Sequence, residues 1–388
     1  VSIDRKKIRI NKALTSLDIE QLLSEVTEDQ FDIVLPNSIG FGGLGVEALL
    51  IQFICTWARN TQFPLLHTYI EESNKVEGFE SLCDRMSGMV AMQMADKVFL
   101  RDGITTVSKR EAFFSSGKKI SKVTSNEFIS AFKGQRAFFP SLRPSKNNGL
   151  IHPLYNGKQV SKSGAFKFIV FAFFEAFYKQ PFHFEENSFL INLGNVVHQL
   201  FLNTHEHARK DIEGNLFMKE ARGVLINKQL FDKKQFTNLF GETDRINKYS
   251  NRIFDQHDGQ KIHFIEISVV DNGEGFARNW ICKKYNKKVE EITVEQEIDA
   301  ILECFEKHNT TKNNSSSGSG LSTVLESLNS LNGILRVRTG RTLTEWYSES
   351  SNAVNKVNRD CIRPRRANIV GTSASILVPI LKKSARSV

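Results

Sequence analysis

Ile265-Glu-Ile-Ser-Val-Val270, followed directly by Asp271-Asn-Gly273-Glu-Gly275-Phe276, is the stretch on which the reading of this 388-residue chain turns. The apolar, β-branched run predicts a buried strand. That strand delivers an acidic residue to its end, and two glycines then let the backbone turn sharply beside a ligand. A buried carboxylate in such a place can accept a hydrogen bond from the exocyclic amine of adenine. Left unpaired it is costly to bury, so it favours the base that pairs with it. Ordinary turns share the DxGxG spelling, and the weight here comes from three further segments.

Upstream, Gln199-Leu-Phe-Leu-Asn203-Thr-His-Glu-His207-Ala208 belongs to a long helix predicted over Leu190 to Lys210. Residues 199, 203 and 207 are four apart and share one helical face. The amide oxygen of Asn203 can serve a magnesium ion that nucleotide phosphates also hold; capping or packing is its plainer role. Downstream, Thr310-Thr-Lys312-Asn-Asn-Ser-Ser-Ser-Gly318-Ser319-Gly320-Leu321 runs straight into a helix marked by Leu321, Val324, Leu325 and Leu328. Its serines and glycines leave N–H groups free to face phosphates, and the helix start adds its dipole. Lys312 is placed to reach a terminal phosphate. A plain Ser/Gly linker would lack the periodic continuation. Finally, Gly371-Thr372-Ser-Ala-Ser-Ile-Leu-Val-Pro379 is a turn feeding a last strand. Thr372 can there bond the carboxylate of Asp271 or simply begin the strand.

In this order and spacing the four segments resemble the N, G1, G2 and terminal GT motifs of the GHKL superfamily, that of histidine kinases, gyrase, heat-shock chaperones and MutL-like ATPases. The resemblance covers about residues 165 to 388. It implies a left-handed α/β sandwich, a mixed and mostly antiparallel sheet covered by helices, that binds ATP and Mg2+ under a mobile lid. Carried over by residue, it makes Asn203 the metal ligand and Asp271 the adenine-reading aspartate, with Gly273 and Gly275 in the adenine-side turn. Lys312, Gly318, Ser319, Gly320 and Leu321 would line the phosphates, and His207 and Thr372 complete the nucleotide-binding set. The Asn203 to His207-Ala208 ending is most similar to anti-sigma serine kinase-like domains, whose helix reads ExxxNxxxHA. Thr310-Thr-Lys312 is closer to MutL-like lids.

The chain departs from the family at one informative place. Hydrolysing members carry a glutamate where this sequence has Gln199. An amide can orient a water but does not take its proton at neutral pH. His198 and Glu206 are the titratable neighbours, although helical geometry turns both off the Asn203 face. Gln199, His198 and Glu206 are therefore the catalytic candidates, and fast intrinsic hydrolysis is not expected.

The remainder reads as α/β. Residues 1–110 are expected to form a small regulatory domain in which Phe31 to Leu35 and Pro64 to Ile70 are strands on either side of a helix. That helix opens at Gly40-Phe-Gly-Gly-Leu-Gly45, which has neither GxGxxG spacing nor a GK[ST] ending and so reads as tight packing. The segment resembles STAS-like regulatory domains. Residues 111–160, with three prolines between Arg136 and Asn156, read as a linker. Residues 161–388 are the expected ATP-binding domain, with an insertion at 213–259 and the lid at 277–317.

A net charge of +9 favours polyanionic partners, whether nucleotide, nucleic acid or acidic protein. Because the basic residues are spread along the chain, a solvated face explains most of them. Five scattered cysteines without a CxxC pair argue against a zinc site or a disulfide framework. With no bilayer-length apolar window and a charged opening segment, the expectation is a cytoplasmic protein without membrane contact. Function is expected to be that of a nucleotide-controlled signalling switch that reads a protein partner and acts on it as a kinase. One alternative is an ATP-driven clamp or chaperone-like ATPase on nucleic acid or protein, which implies a homodimer. The other is a catalytically weak nucleotide sensor in a bacterial defence system.

Overall fold

The computed structural model describes residues 5–25, 30–125, 128–132, 134–144, 149–178, 187–241, 243–255, 260–306, 320–349 and 356–381. Its first part runs β1 (Lys6–Arg9), β2 (Ala13–Thr15), α1 (Ser16–Glu25), β3 (Phe31–Leu35), β4 (Gly40–Gly42), α2 (Val46–Asn60), β5 (Leu65–Thr68), α3 (Lys75–Cys83), α4 (Met86–Met94), β6 (Lys97–Phe99), β7 (Thr106–Val107) and α5 (Lys109–Thr124). Strands β1, β3, β5 and β6 pair in parallel in that order, and β7 closes the edge antiparallel. Right-handed crossovers between strands taken in sequential order put their helices on one face. Accordingly Ile8, Ile33, Leu66 and Val98 share a core with Ile19, Leu50, Phe53 and Met89 of α1, α2 and α4.

The second part runs β8 (Arg136–Arg143), β9 (Tyr155–Asn156), β10 (Gln159–Val160), α6 (Ser163–Tyr178), α7 (Asn187–His207), β11 (Glu220–Phe231), α8 (Lys233–Phe240), α9 (Asp244–Phe254), β12 (Ile262–Asp271), α10 (Phe276–Tyr285), α11 (Val294–Phe305), α12 (Gly320–Ser330), β13 (Ile334–Tyr347) and β14 (Ile362–Ile380). Five strands form an antiparallel sheet in the order β13-β14-β12-β11-β8. Side chains alternate across it with period two. Ile265, Ile267 and Val269 enter the core made with α6, α7, α10, α11 and α12, while Val270 and Leu225 enter the core shared with the first part.

Helix α2 is what joins the halves. Every residue from Val46 to Trp57 is buried, including Glu47, Gln52 and Thr56. A helix enclosed on all sides lies between two layers rather than on a surface. Here those layers are the parallel sheet and strands β12 and β14 of the antiparallel one. The layers are sheet, helices, sheet, helices. Gly45, at the start of α2, sits against the second sheet: a Cβ there would lie 2.2 Å from Ser375 Oγ. The glycine loop thus packs tightly, against β14 as well as within its own unit.

Three expectations from sequence need correction. Residues 136–143, read as linker, are strand β8, paired through eight positions with β11. Pro140 is tolerated because an edge strand needs donors on one side only. The 213–259 insertion contributes β11, second from the sheet edge, and its α8 and α9 bury Phe236, Ile246, Ile253 and Phe254 in a third core. Much of the 277–317 lid is packed structure, since Ala277, Trp280, Ile281, Ile298 and Ile301 all lie in the main core.

Candidate functional site

Strand β12 carries Asp271 to its last position, where the residue is 4 % exposed. Its Oδ1 accepts hydrogen bonds from the backbone N–H groups of Gly273 (2.9 Å) and Thr372 (3.1 Å). Strand β14 comes close enough to supply the second because Gly371 adopts φ +74°, and a Cβ there would lie 1.9 Å from the Asp271 carbonyl oxygen. The Thr372 hydroxyl accepts from Phe276 N (3.3 Å), the first residue of α10, and faces the Thr339 hydroxyl at 3.3 Å. Both backbone donors use Oδ1, and Oδ2 accepts none among the described residues. One carboxylate oxygen is therefore fixed by the backbone on both sides of the site.

Helix α7 borders this turn and continues away from it. A Cβ on Gly273 would meet Ala208 Cα at 2.6 Å, so the two backbones touch. Asn279 Nδ2 donates to the His207 carbonyl oxygen (3.2 Å) and ties α10 to the same helix end. Nine residues earlier, a Cβ on Gly320 at the start of α12 would lie 3.2 Å from Gln199 Oε1. At the helical rise those two contacts are about 13 Å apart along α7. Half-buried Asn203 stands between them on the face it shares with Gln199. Leu321 packs against the main core from the first turn of α12. Lys312, Gly318 and Ser319 lie outside the described residues.

The titratable candidates are not drawn into this arrangement. His198 turns its ring against Phe166 of α6, with centroids 5.3 Å apart, and burial lowers its pKa despite the opposing field of Glu206. Glu206 is exposed. Sequence reasoning missed a polar cluster behind α7. There Arg222, fully buried, pairs with buried Glu220 and donates to Tyr155 Oη (2.6 Å), which contacts His205 Nδ1 at 3.0 Å. Burial, then the charges of Arg222 and Arg209, push His205 down to about 4, so it is neutral at physiological pH. The signal that could have found it was an acid and a base two apart, on one face at the start of a strand. A separate groove of about 410 Å³ between α3 and α5, lined by Lys75, Phe79, Glu111 and Phe114 among others, shares no residue with the Asp271 site.

Burial pushes Asp271 up from an ordinary 3.8 to about 6, against the opposing effect of its two backbone donors and the charges of Arg222 and Arg59. The sign follows from linkage. With the folded value above the unfolded one, its contribution to stability is fully present below about 3.8 and is lost as pH rises through about 6. A ligand donor, by contrast, needs the ionised carboxylate. If Oδ2 pairs with an adenine amine, lowering the pH from 7.5 to 5 is therefore expected to weaken adenine-nucleotide binding by about tenfold. Calorimetric titration at the two pH values checks this, and an unchanged affinity would mean that the carboxylate does not face the base.

Among the described residues no group of three or more His, Cys, Asp or Glu could hold a metal by itself. Comparisons with protein-family models, with curated proteins and with solved structures find no match.

Proposed function

We propose that this chain binds Mg-ATP as a GHKL-type protein and uses the nucleotide as a switch toward a protein partner. In this reading the antiparallel sheet with α6, α7, α10, α11 and α12 is the ATP-binding sandwich, and the parallel-sheet unit is a STAS-like regulatory domain. The observation that carries it is the course of α7, which touches the Asp271 turn at Ala208 and the start of α12 at Gln199, with Asn203 between. One helix thereby spans a base-reading end and a phosphate-facing end.

Each residue then has a physical task. Asp271 presents Oδ2 to the adenine amine while Gly273 and Thr372 hold Oδ1. The N–H groups that open α12 at Gly320 and Leu321 have no partner within the helix and would face phosphate, as at any helix start. Asn203 offers its amide oxygen to the magnesium ion. Bound ATP supplies a transferable phosphoryl group. Gln199, beside Gly320, can orient a water but leaves its proton in place.

Purified wild-type protein is therefore expected to release ADP and phosphate no faster than an Asp271→Asn control. Gln199→Glu is expected to raise the rate by up to about a hundredfold. Turnover in the wild type well above the control would show that another group takes the proton, and would favour the clamp-like ATPase. The basic balance of the chain leaves nucleic acid as a partner in that second reading. Among the described residues no helix is long and apolar enough to cross a membrane.

A further inference from the structure

The second half of α2 is bonded to β13, to β14 and to the turn that follows β12. Gln52 Nε2 donates to the carbonyl oxygens of Arg338 (3.1 Å) and Val370 (3.3 Å). Thr56 Oγ1 accepts from Val370 N at 2.9 Å. These contacts hold β14 immediately before Gly371 and Thr372. One turn further on, Arg59 Nη2 donates to the Asn272 carbonyl oxygen (2.6 Å), and Nη1 pairs with Glu274 (3.0 Å). The same guanidinium lies over the Phe217 ring, 4.6 Å from its centroid. Asn272 in turn accepts from Ala221 N (2.9 Å) and donates to the Lys219 carbonyl oxygen (3.0 Å). A residue of the first unit thus grips both ends of the glycine turn that follows Asp271.

We propose that Arg59 is a positioning residue for the nucleotide site, so that the seating of α2 sets the affinity for ATP and ATP in turn stabilises that seating. The inference rests on the nucleotide reading of Asp271 given above. Arg59 does not touch the ligand. It fixes the Asn272–Gly273 peptide, whose N–H holds Oδ1 and so decides where Oδ2 points. The planar fork suits this task, because one guanidinium satisfies a carbonyl and a carboxylate together. Coupling of this kind is reciprocal, and a change in the seating of the first unit would be read as a change in nucleotide affinity.

The test compares a lesion at this contact with a lesion elsewhere on the same seam. Arg336 Nη1 donates to the Leu44 carbonyl oxygen (3.0 Å), and Arg336 pairs with Glu345, so it joins the two units at a distance in sequence from the turn. Mg-ATP and Mg-ADP are titrated calorimetrically into wild type, Arg59→Ala, Arg59→Lys and Arg336→Ala, with folding checked by circular dichroism and thermal melting. Arg59→Ala is expected to weaken both nucleotides by about tenfold, and Arg59→Lys, which keeps one donor for the Asn272 carbonyl, to recover most of that. Arg336→Ala is expected to lower the melting temperature and leave affinity within about twofold. In the wild type, ATP is expected to slow amide exchange over residues 56–61. Equal affinity in Arg59→Ala and wild type overturns the proposal, and so does an equal loss in Arg336→Ala. No binding by the wild type would instead overturn the nucleotide reading itself, and the inference with it.

Discussion

Asp271→Asn is expected to lower the affinity for ATP by about a hundredfold or more while leaving the fold intact. The size of the effect follows from how the carboxylate is held. Two backbone N–H groups converge on Oδ1, from Gly273 and Thr372. An asparagine must keep its oxygen there, because the alternative rotamer would point an NH2 group at two donors. Its Nδ2 then occupies the place of Oδ2 and faces the adenine amine, donor against donor. The side chain keeps its shape and both backbone bonds, so the loss falls on binding rather than on folding. Titration calorimetry gives the affinity and thermal denaturation gives the control. A variant that binds ATP as well as wild type would place the base elsewhere.

Glu297→Ala is expected to destabilise the protein by about 3–5 kcal/mol, the range for removing one partner of a buried ion pair. Glu297 has no exposed surface and takes two arginines. Arg278 donates to its Oε1 from Nε (3.0 Å) and Nη2 (2.9 Å). Arg341 donates to Oε1 from Nε (3.0 Å) and to Oε2 from its backbone N–H (2.7 Å). Without the carboxylate, the buried guanidinium of Arg278 loses its counter-charge, and the irregular stretch of β13 at Gly340–Arg341 loses its anchor on α11. Chemical denaturation measures the loss directly. The same stretch of β13 follows Thr339, which faces Thr372, so nucleotide affinity is expected to fall in the same variant. A change within the experimental scatter would mean that α10 and α11 do not depend on this triad.

The triad also shows what a sequence conceals. The meeting of Asp271, its glycines and Thr372 was legible because a tight turn is written in short local spellings, and the backbone groups that hold the carboxylate come from those spellings. The partners of Glu297 lie 19 residues before it and 44 after it, and no local pattern joins them. Arg59 was hidden for the same reason, being 213 residues from Asn272. Strand β8 was hidden differently: Pro140 reads as a breaker unless the strand is known to be an edge. Helix α2 was legible as a helix, but an apolar helix does not say how many layers cover it. The α/β character of both parts followed from hydrophobic periodicity, whereas the stacking of one part on the other depended on contacts between distant segments.

The most direct test of base reading at Asp271 is competitive titration of the wild-type protein with Mg-ATP and Mg-GTP. Adenine presents an amine donor where guanine presents a carbonyl acceptor, and Oδ2 can pair only with the donor. ATP is expected to bind saturably, with GTP weaker by about a hundredfold or more. Equal affinity for the two nucleotides, or no binding of ATP, would contradict the assignment of Asp271 as the residue that reads the base.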